Sequence, residues 1–148
     1  MKKKVAAVGL GLMGGSMAMA IRKYTDCEVY GWNRTRSVAE QAVADGTLHG
    51  IADEAILADA DYIIISLYPQ STVDFLLEHM PRFKRGCIIV DLVGVKRFLQ
   101  ENLEQAAIDA GVHFIGGHPM AGKEFSGYAF ATPELFQNAS MILVPNAS

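Results

Sequence analysis

The feature that most constrains this chain is the run Gly9-Leu10-Gly11-Leu12-Met13-Gly14, which follows the apolar segment Val5 to Val8 without a spacer. Met13, Met17, Ala20, Ile21 and Tyr24 then recur at helical spacing, so the glycines sit at a strand-to-helix turn. Each glycine has a physical use there. The first allows the tight turn, the second lets a pyrophosphate approach the backbone, and the third lets the helix pack closely on the strand. Unpaired N–H groups and the helix dipole favour an anion at the same place. Gly9, Gly11, Leu12, Met13 and Gly14 are therefore the candidate phosphate cradle. Glycines that merely tighten a turn are the competing reading, and the βαβ pattern that follows weighs against it.

The rest of the chain alternates short apolar runs with amphipathic stretches. Glu28 to Trp32 reads as a second strand, followed by a helix carrying Val38, Ala39, Ala42 and Val43 that stops near Gly46. Tyr62 to Leu67 is a buried strand, with a helix from about Thr72 and Pro81 beyond its end. Cys87 to Leu92 is another strand. Val95 to Ala110 places Val95, Leu99, Leu103, Ala106 and Ala110 on one helical stripe, closed by Gly111. Val112 to Ile115 and Met141 to Val144 are short strands. Gly116 to Asn138, rich in glycine and containing two prolines, reads as an irregular loop region with a short helix at Glu134 to Gln137. This pattern predicts an α/β fold, a Rossmann-type doubly wound, mostly parallel sheet with helices on both faces, forming one dinucleotide-binding domain over residues 1–148.

The end of the second strand bears on cofactor choice. An NAD-preferring site is expected to carry an Asp or Glu there for the ribose 2′-hydroxyl. The sequence instead reads Asn33-Arg34-Thr35-Arg36-Ser37. Arg34 and Arg36, with the hydroxyls of Thr35 and Ser37, suit a 2′-phosphate, so NADP is the expected cofactor and NAD the alternative. A solvated basic turn is the bland reading.

Composition excludes other partners. Thirteen Lys and Arg against sixteen Asp and Glu give a net charge of −3, so there is no basic field for nucleic acid. Lys2, Lys3 and Lys4 before an apolar stretch outline a secretory signal, but Gly9, Gly11, Gly14 and Gly15 would weaken its helix. No apolar run reaches the roughly 20 residues of a membrane span. A cytoplasmic protein without membrane contact is expected. Cys27 and Cys87 lack zinc-site spacing and read as buried apolar residues, and no metal is expected.

Ligands of open α/β sheets bind beyond the carboxyl ends of the strands. Ser66 to Pro69, Asp91 to Lys96 and Gly116 to Glu124 occupy those positions. Ser66, Pro69, Asp91 and Gly94 are candidate cofactor contacts. His118, between glycines at a strand end, could take a proton from a substrate hydroxyl as hydride leaves the same carbon. A loop histidine bonded to backbone is the equally weighted alternative.

Three segments together carry a family resemblance: Val8-Gly9-Leu10-Gly11-Leu12-Met13-Gly14-Gly15-Ser16, the Asp91-x-x-Gly94-Val95-Lys96 element, and His118-Pro119-Met120-Ala121-Gly122 followed by Glu124, Ser126 and Gly127. The chain resembles the cofactor-binding half of the prephenate and arogenate dehydrogenases of tyrosine biosynthesis. The resemblance implies oxidative decarboxylation of prephenate to 4-hydroxyphenylpyruvate, with His118 as the catalytic histidine, Glu124 near the substrate entrance and Lys96 as the lysine after the fifth strand. Gly94 replaces a serine common in the family, and Lys123 a threonine. The family's helical domain, which makes the homodimer and supplies an arginine for the substrate carboxylate, is expected to be absent from this chain. Nucleotide binding with little turnover follows. A β-hydroxyacid or imine reductase shares the glycine-rich opening but does not explain His118 to Gly122. A non-catalytic dinucleotide-binding module is the third reading.

Overall fold

The computed structural model describes residues 2–92, 96–119, 126–137 and 141–145. Its elements are β1 (Lys4–Val8), α1 (Leu12–Tyr24), β2 (Glu28–Trp32), α2 (Arg36–Ala44), β3 (Gly50–Ile51), α3 (Glu54–Asp59), β4 (Tyr62–Ile65), α4 (Pro69–His79), β5 (Ile88–Asp91), α5 (Lys96–Ala110), β6 (His113–Pro119) and β7 (Met141–Pro145). Seven strands form one sheet in the order β3-β2-β1-β4-β5-β6-β7. Strands β1 to β6 are parallel, and β7 runs antiparallel to β6. Strand order reverses between β1 and β4, where Val8 and Ile65 are register partners at the carboxyl edge. That is the crevice where such sheets bind ligands.

The period-2 alternation of the strands divides two cores. Ile63, Ile65, Ile89 and Phe114 pack with Leu76, Leu99 and Leu103 from α4 and α5. On the other face Ala7 and Val29 meet Ala18, Ala39 and Ala42 from α1 and α2. Each fully buried Leu or Ile contributes about 2 kcal/mol through burial. The face under α1 is built from small side chains, which lets that helix lie close to β1. No helix among the described residues is long and apolar enough to cross a membrane.

Several expectations are corrected in detail. The β3–α3 pair was not anticipated, because two strand residues and six helical ones are too short to show a period. Its local signal is Asp53, whose carboxylate accepts the Ile56 N–H at 2.9 Å as an N-cap. Helix α4 begins at Pro69 rather than near Thr72, with the proline in its first turn, where a missing N–H costs nothing. Strand β6 continues through Gly116 and Gly117 to Pro119, where a loop was expected, because β7 pairs with it over that length. Residues 134–137 form turns rather than a helix. Cys27 is half-buried instead of buried.

Cys87 is 1% exposed, and burial pushes its thiol up to about 12. A thiol reagent at pH 8 should titrate one cysteine per native chain, Cys27, and two after denaturation. Rapid modification of both in the native state would contradict the burial of Cys87 at the start of β5.

Candidate functional site

The glycine turn is held from both sides. Gly9 adopts φ +93°, donates its N–H to the Trp32 carbonyl at 2.8 Å, and leaves no room for a side chain, since a Cβ would lie 2.4 Å from the Ser66 carbonyl oxygen. A Cβ on Gly14 would lie 1.9 Å from the Gly9 carbonyl oxygen. These two glycines are required by the protein's own packing. Gly11 is different, because a Cβ there would meet nothing within 4 Å. Gly11 is the N-cap of α1, makes no side-chain cap bond, and is followed by a first turn without an acidic residue, the half-buried Leu12 and Met13 among it. The first-turn amides therefore face open space that a phosphate can fill. A dinucleotide fits this cradle: a side chain at Gly11 would occupy the space through which phosphate reaches those amides.

At the end of β2, Asn33 joins two arms of the site. Its Oδ1 accepts the Leu10 N–H at 2.9 Å, and its Nδ2 donates to the Thr35 carbonyl at 3.0 Å. The amide thus ties the glycine turn to the basic turn. Thr35 is the N-cap of α2, and Arg34, Thr35 and Arg36 are exposed. Arg36 lies 3.8 Å from Glu40 and shares an open cavity of about 400 Å³ with Trp32, Asp53, Glu54 and His79. Arg36 thus has a carboxylate partner one helical turn along its own helix.

The ends of β4, β5 and β6 form the opposite wall. Ser66 donates its N–H to the Val8 carbonyl at 2.8 Å, and Pro69 opens α4. Between them Tyr68 is 84% exposed, an aromatic ring inside the Ser66 to Pro69 stretch of which the sequence reading singled out only the two end residues. Asp91, the last residue of β5, is 0% exposed and accepts a bond from Lys96 Nζ at 2.6 Å. The same ammonium donates to the Gly117 carbonyl at 2.5 Å. Register explains the second bond. Asp91 is opposite Gly116, so β6 outruns β5 from Gly117 onward, and Lys96 supplies a donor where the neighbouring strand has ended. This extension carries the backbone of His118 past the end of β5, opposite Ile142 of β7. Gly94 and Glu124, named from the sequence, lie outside the described residues.

Sequence reasoning also missed a group on the outer side of α1. The Tyr128 ring lies against Gly15, where a Cβ would come within 2.8 Å of its Cδ1. Its hydroxyl donates to Asp45 Oδ2 at 2.7 Å and lies 3.1 Å from Thr47 Oγ1. Burial, aided by the Asp45 carboxylate and opposed by the bond to Thr47, pushes the Tyr128 phenol up to about 12. For Asp45 burial acts against the charged form, but bonds from Thr47 and Tyr128 outweigh it and lower its pKa. The sequence signal was the second glycine of Gly14-Gly15.

The Asp91–Lys96 pair gives a direct test of this wall. Removing one partner of a buried pair leaves the other's charge less compensated. Lys96→Met should lower stability by about 3 kcal/mol in urea unfolding, while the double variant Asp91→Asn/Lys96→Met should recover part of that loss. A single-variant loss below about 1 kcal/mol, the scale of an exposed pair, would contradict the buried geometry.

Residues 17–148 match the family model described as prephenate dehydrogenase, nucleotide-binding domain. The prephenate dehydrogenase of Lactococcus lactis subsp. cremoris is 35% identical over 95% of this chain and 40% of its own length. The crystal structure of Synechocystis arogenate dehydrogenase superposes with a TM-score of 0.84 at 30% identity, over 97% of this chain and 50% of that one. Prephenate dehydrogenase from Aquifex aeolicus, solved in complex with hydroxyphenyl propionate and NAD+, gives 0.73 at 25% identity, over 99% of this chain and 52% of that one. The chain thus spans about half or less of the length of these relatives. The glycine turn precedes the matched stretch, so the assignment does not rest on that motif. From residue 17 to its last residue this chain belongs to the prephenate dehydrogenase family, as a nucleotide-binding domain.

Proposed function

We propose that this chain is the cofactor-binding, catalytic half of a prephenate dehydrogenase, which converts prephenate to 4-hydroxyphenylpyruvate and CO₂ with NADP+ as hydride acceptor. The observation that carries the reading is the pairing of two features on one sheet edge. The open first turn of α1 lies at the β1–β4 switch point, and the Lys96-supported extension of β6 brings His118 to the same edge. Gly11 and the first-turn amides would hold the pyrophosphate, and Arg34 the 2′-phosphate, since Arg36 has Glu40 3.8 Å away as a partner. Tyr68 offers a ring at the β4 end. When bound, the nicotinamide supplies the hydride acceptor.

His118 takes the proton of the ring hydroxyl as that carbon gives up hydride. The resulting ketone draws the electron pair of the breaking C–CO₂ bond through the ring, CO₂ leaves, the phenolate oxygen so formed takes the proton back from His118, and aromatisation makes the step effectively irreversible. Lys96 serves this chemistry by fixing the peptide before His118. Glu124, at the substrate entrance, and the helical domain with its carboxylate-binding arginine and dimer contacts enter on the family likeness alone. The likeness to Synechocystis arogenate dehydrogenase supports a second reading in which arogenate is the substrate. The complex of the Aquifex relative with NAD+ keeps NAD+ as the alternative cofactor.

Calorimetric titration of this chain with NADP+ and NAD+ tests the cofactor assignment. A lost charge-assisted hydrogen bond is worth about 1.5 to 3 kcal/mol, so Arg34→Ala should weaken NADP+ about tenfold or more and leave NAD+ within about twofold. Tighter binding of NAD+, unchanged in the variant, would overturn the NADP+ reading. Absence of binding by either would overturn the nucleotide site.

A further inference from the structure

The first turn of α1 carries two consecutive glycines, a residue of low helix propensity, and the two have different neighbours. Gly14 packs on the Gly9 carbonyl, on the side of β1. Gly15 lies about 100° further round the helix. A Cβ on it would come within 2.8 Å of the Tyr128 ring and 3.2 Å of the Ala131 Cβ, so no other residue fits without displacing that segment. Gly15 is also where the helix closes its first hydrogen bond, from its own N–H to the Gly11 carbonyl at 2.9 Å. The amides of Leu12 and Met13, just ahead of it, belong to the open end of the helix. That end is therefore gripped from two directions, by the β1 turn and by Tyr128.

Tyr128 is itself fixed at its far end. Its hydroxyl donates to Asp45 Oδ2 and lies beside Thr47 Oγ1, in the turn that follows α2. The acceptor is held in turn, because Asp45 Oδ1 takes the Thr47 N–H at 3.0 Å. Behind the ring, the segment is tied along α1. Ser16, 0% exposed, accepts the Thr132 N–H at 3.0 Å, and Lys23 pairs with Glu134 at 2.5 Å. Tyr128 is thus a strut between the phosphate-facing helix and the end of α2. Neither the phosphate contacts nor the proton transfer at His118 makes use of it.

We propose that Tyr128 is a positioning residue for the phosphate cradle: wedged between Gly15 and Asp45, it sets the direction in which the Leu12 and Met13 amides point at a pyrophosphate. Hydrogen bonds weaken steeply as the donor turns away from its acceptor, so a small tilt of the first turn is felt in binding. The 2′-phosphate turn is held separately, by the Asn33 amide, and does not lean on the strut. The proposal rests on the dinucleotide reading above. It predicts a loss common to both dinucleotides, without a change in the preference between them.

The test is calorimetry with NADP+ and NAD+, together with the amide NMR spectrum of the nucleotide-free chain, at a temperature where parent and variant are both folded. Tyr128→Phe keeps the ring and loses the hydroxyl. It should weaken both nucleotides by a common factor of about five, the effect of one lost hydrogen bond. The ratio of the two affinities should stay within about twofold. Without nucleotide, the same variant should shift the amides of Leu12 and Met13 and leave those of Arg34 and Thr35 in place, a signature that a strut serving stability alone would not produce. Gly15→Ala, which displaces the ring while leaving every hydrogen-bonding group present, should weaken NADP+ at least as much. NADP+ affinity within twofold of the parent in Tyr128→Phe, unmoved first-turn amides, or a changed preference between the nucleotides would each overturn the positioning role while leaving the nucleotide site intact. Failure of the unaltered chain to bind NADP+ or NAD+ would overturn the site and the positioning role together.

Discussion

The contact between Gly14 and the Gly9 carbonyl is the constraint on which the site depends. With no room for a Cβ at either glycine, α1 starts within van der Waals distance of the turn that leaves β1, and the turn in turn presses on Ser66 at the end of β4. The N-terminus of α1 is thereby pinned at the point where strand order reverses. The dipole and first-turn amides need no charged side chain to attract an anion, only a fixed direction and an open approach. The small residues beneath α1 and the open space at Gly11 provide both.

Around that fixed helix, polar groups act mainly on backbone. Asn33 spends its amide on Leu10 and Thr35, and Lys96 spends two of its donors on Asp91 and Gly117. Neither arrangement creates a reactive group. Each places a peptide where a strand pair cannot: the glycine turn beyond β2, and β6 beyond β5. Satisfying such backbone groups internally is what lets an irregular edge stay ordered, because an unmade buried bond costs about 1 to 3 kcal/mol.

The larger part of the fold was legible because buried parallel strands and amphipathic helices leave strong periodic signals, as in Tyr62 to Ile65 and the Leu99–Leu103 stripe. What escaped was decided by contacts distant in sequence. Gly116, Gly117 and Pro119 carry loop chemistry, yet β7 and the Lys96 ammonium hold them as strand. Gly15 lies one residue past the phosphate motif and was given no contact of its own, but its neighbour is Tyr128, more than a hundred residues away. Arg34 and Arg36 looked equivalent by spacing, but Arg36 lies within the first turn of α2 and has Glu40 as its i,i+4 partner. Short elements such as β3 and α3 gave too few residues for any period to show.

The most direct test of the account is a backbone amide NMR titration of this chain with NADP+. The largest shifts should fall on Leu12, Met13 and Gly14, with a second group at Arg34 and Thr35 and a third along the end of β6. Shifts confined to the cavity around Trp32 and His79, or no shift in the first turn of α1, would contradict the assignment of the glycine turn as the phosphate site.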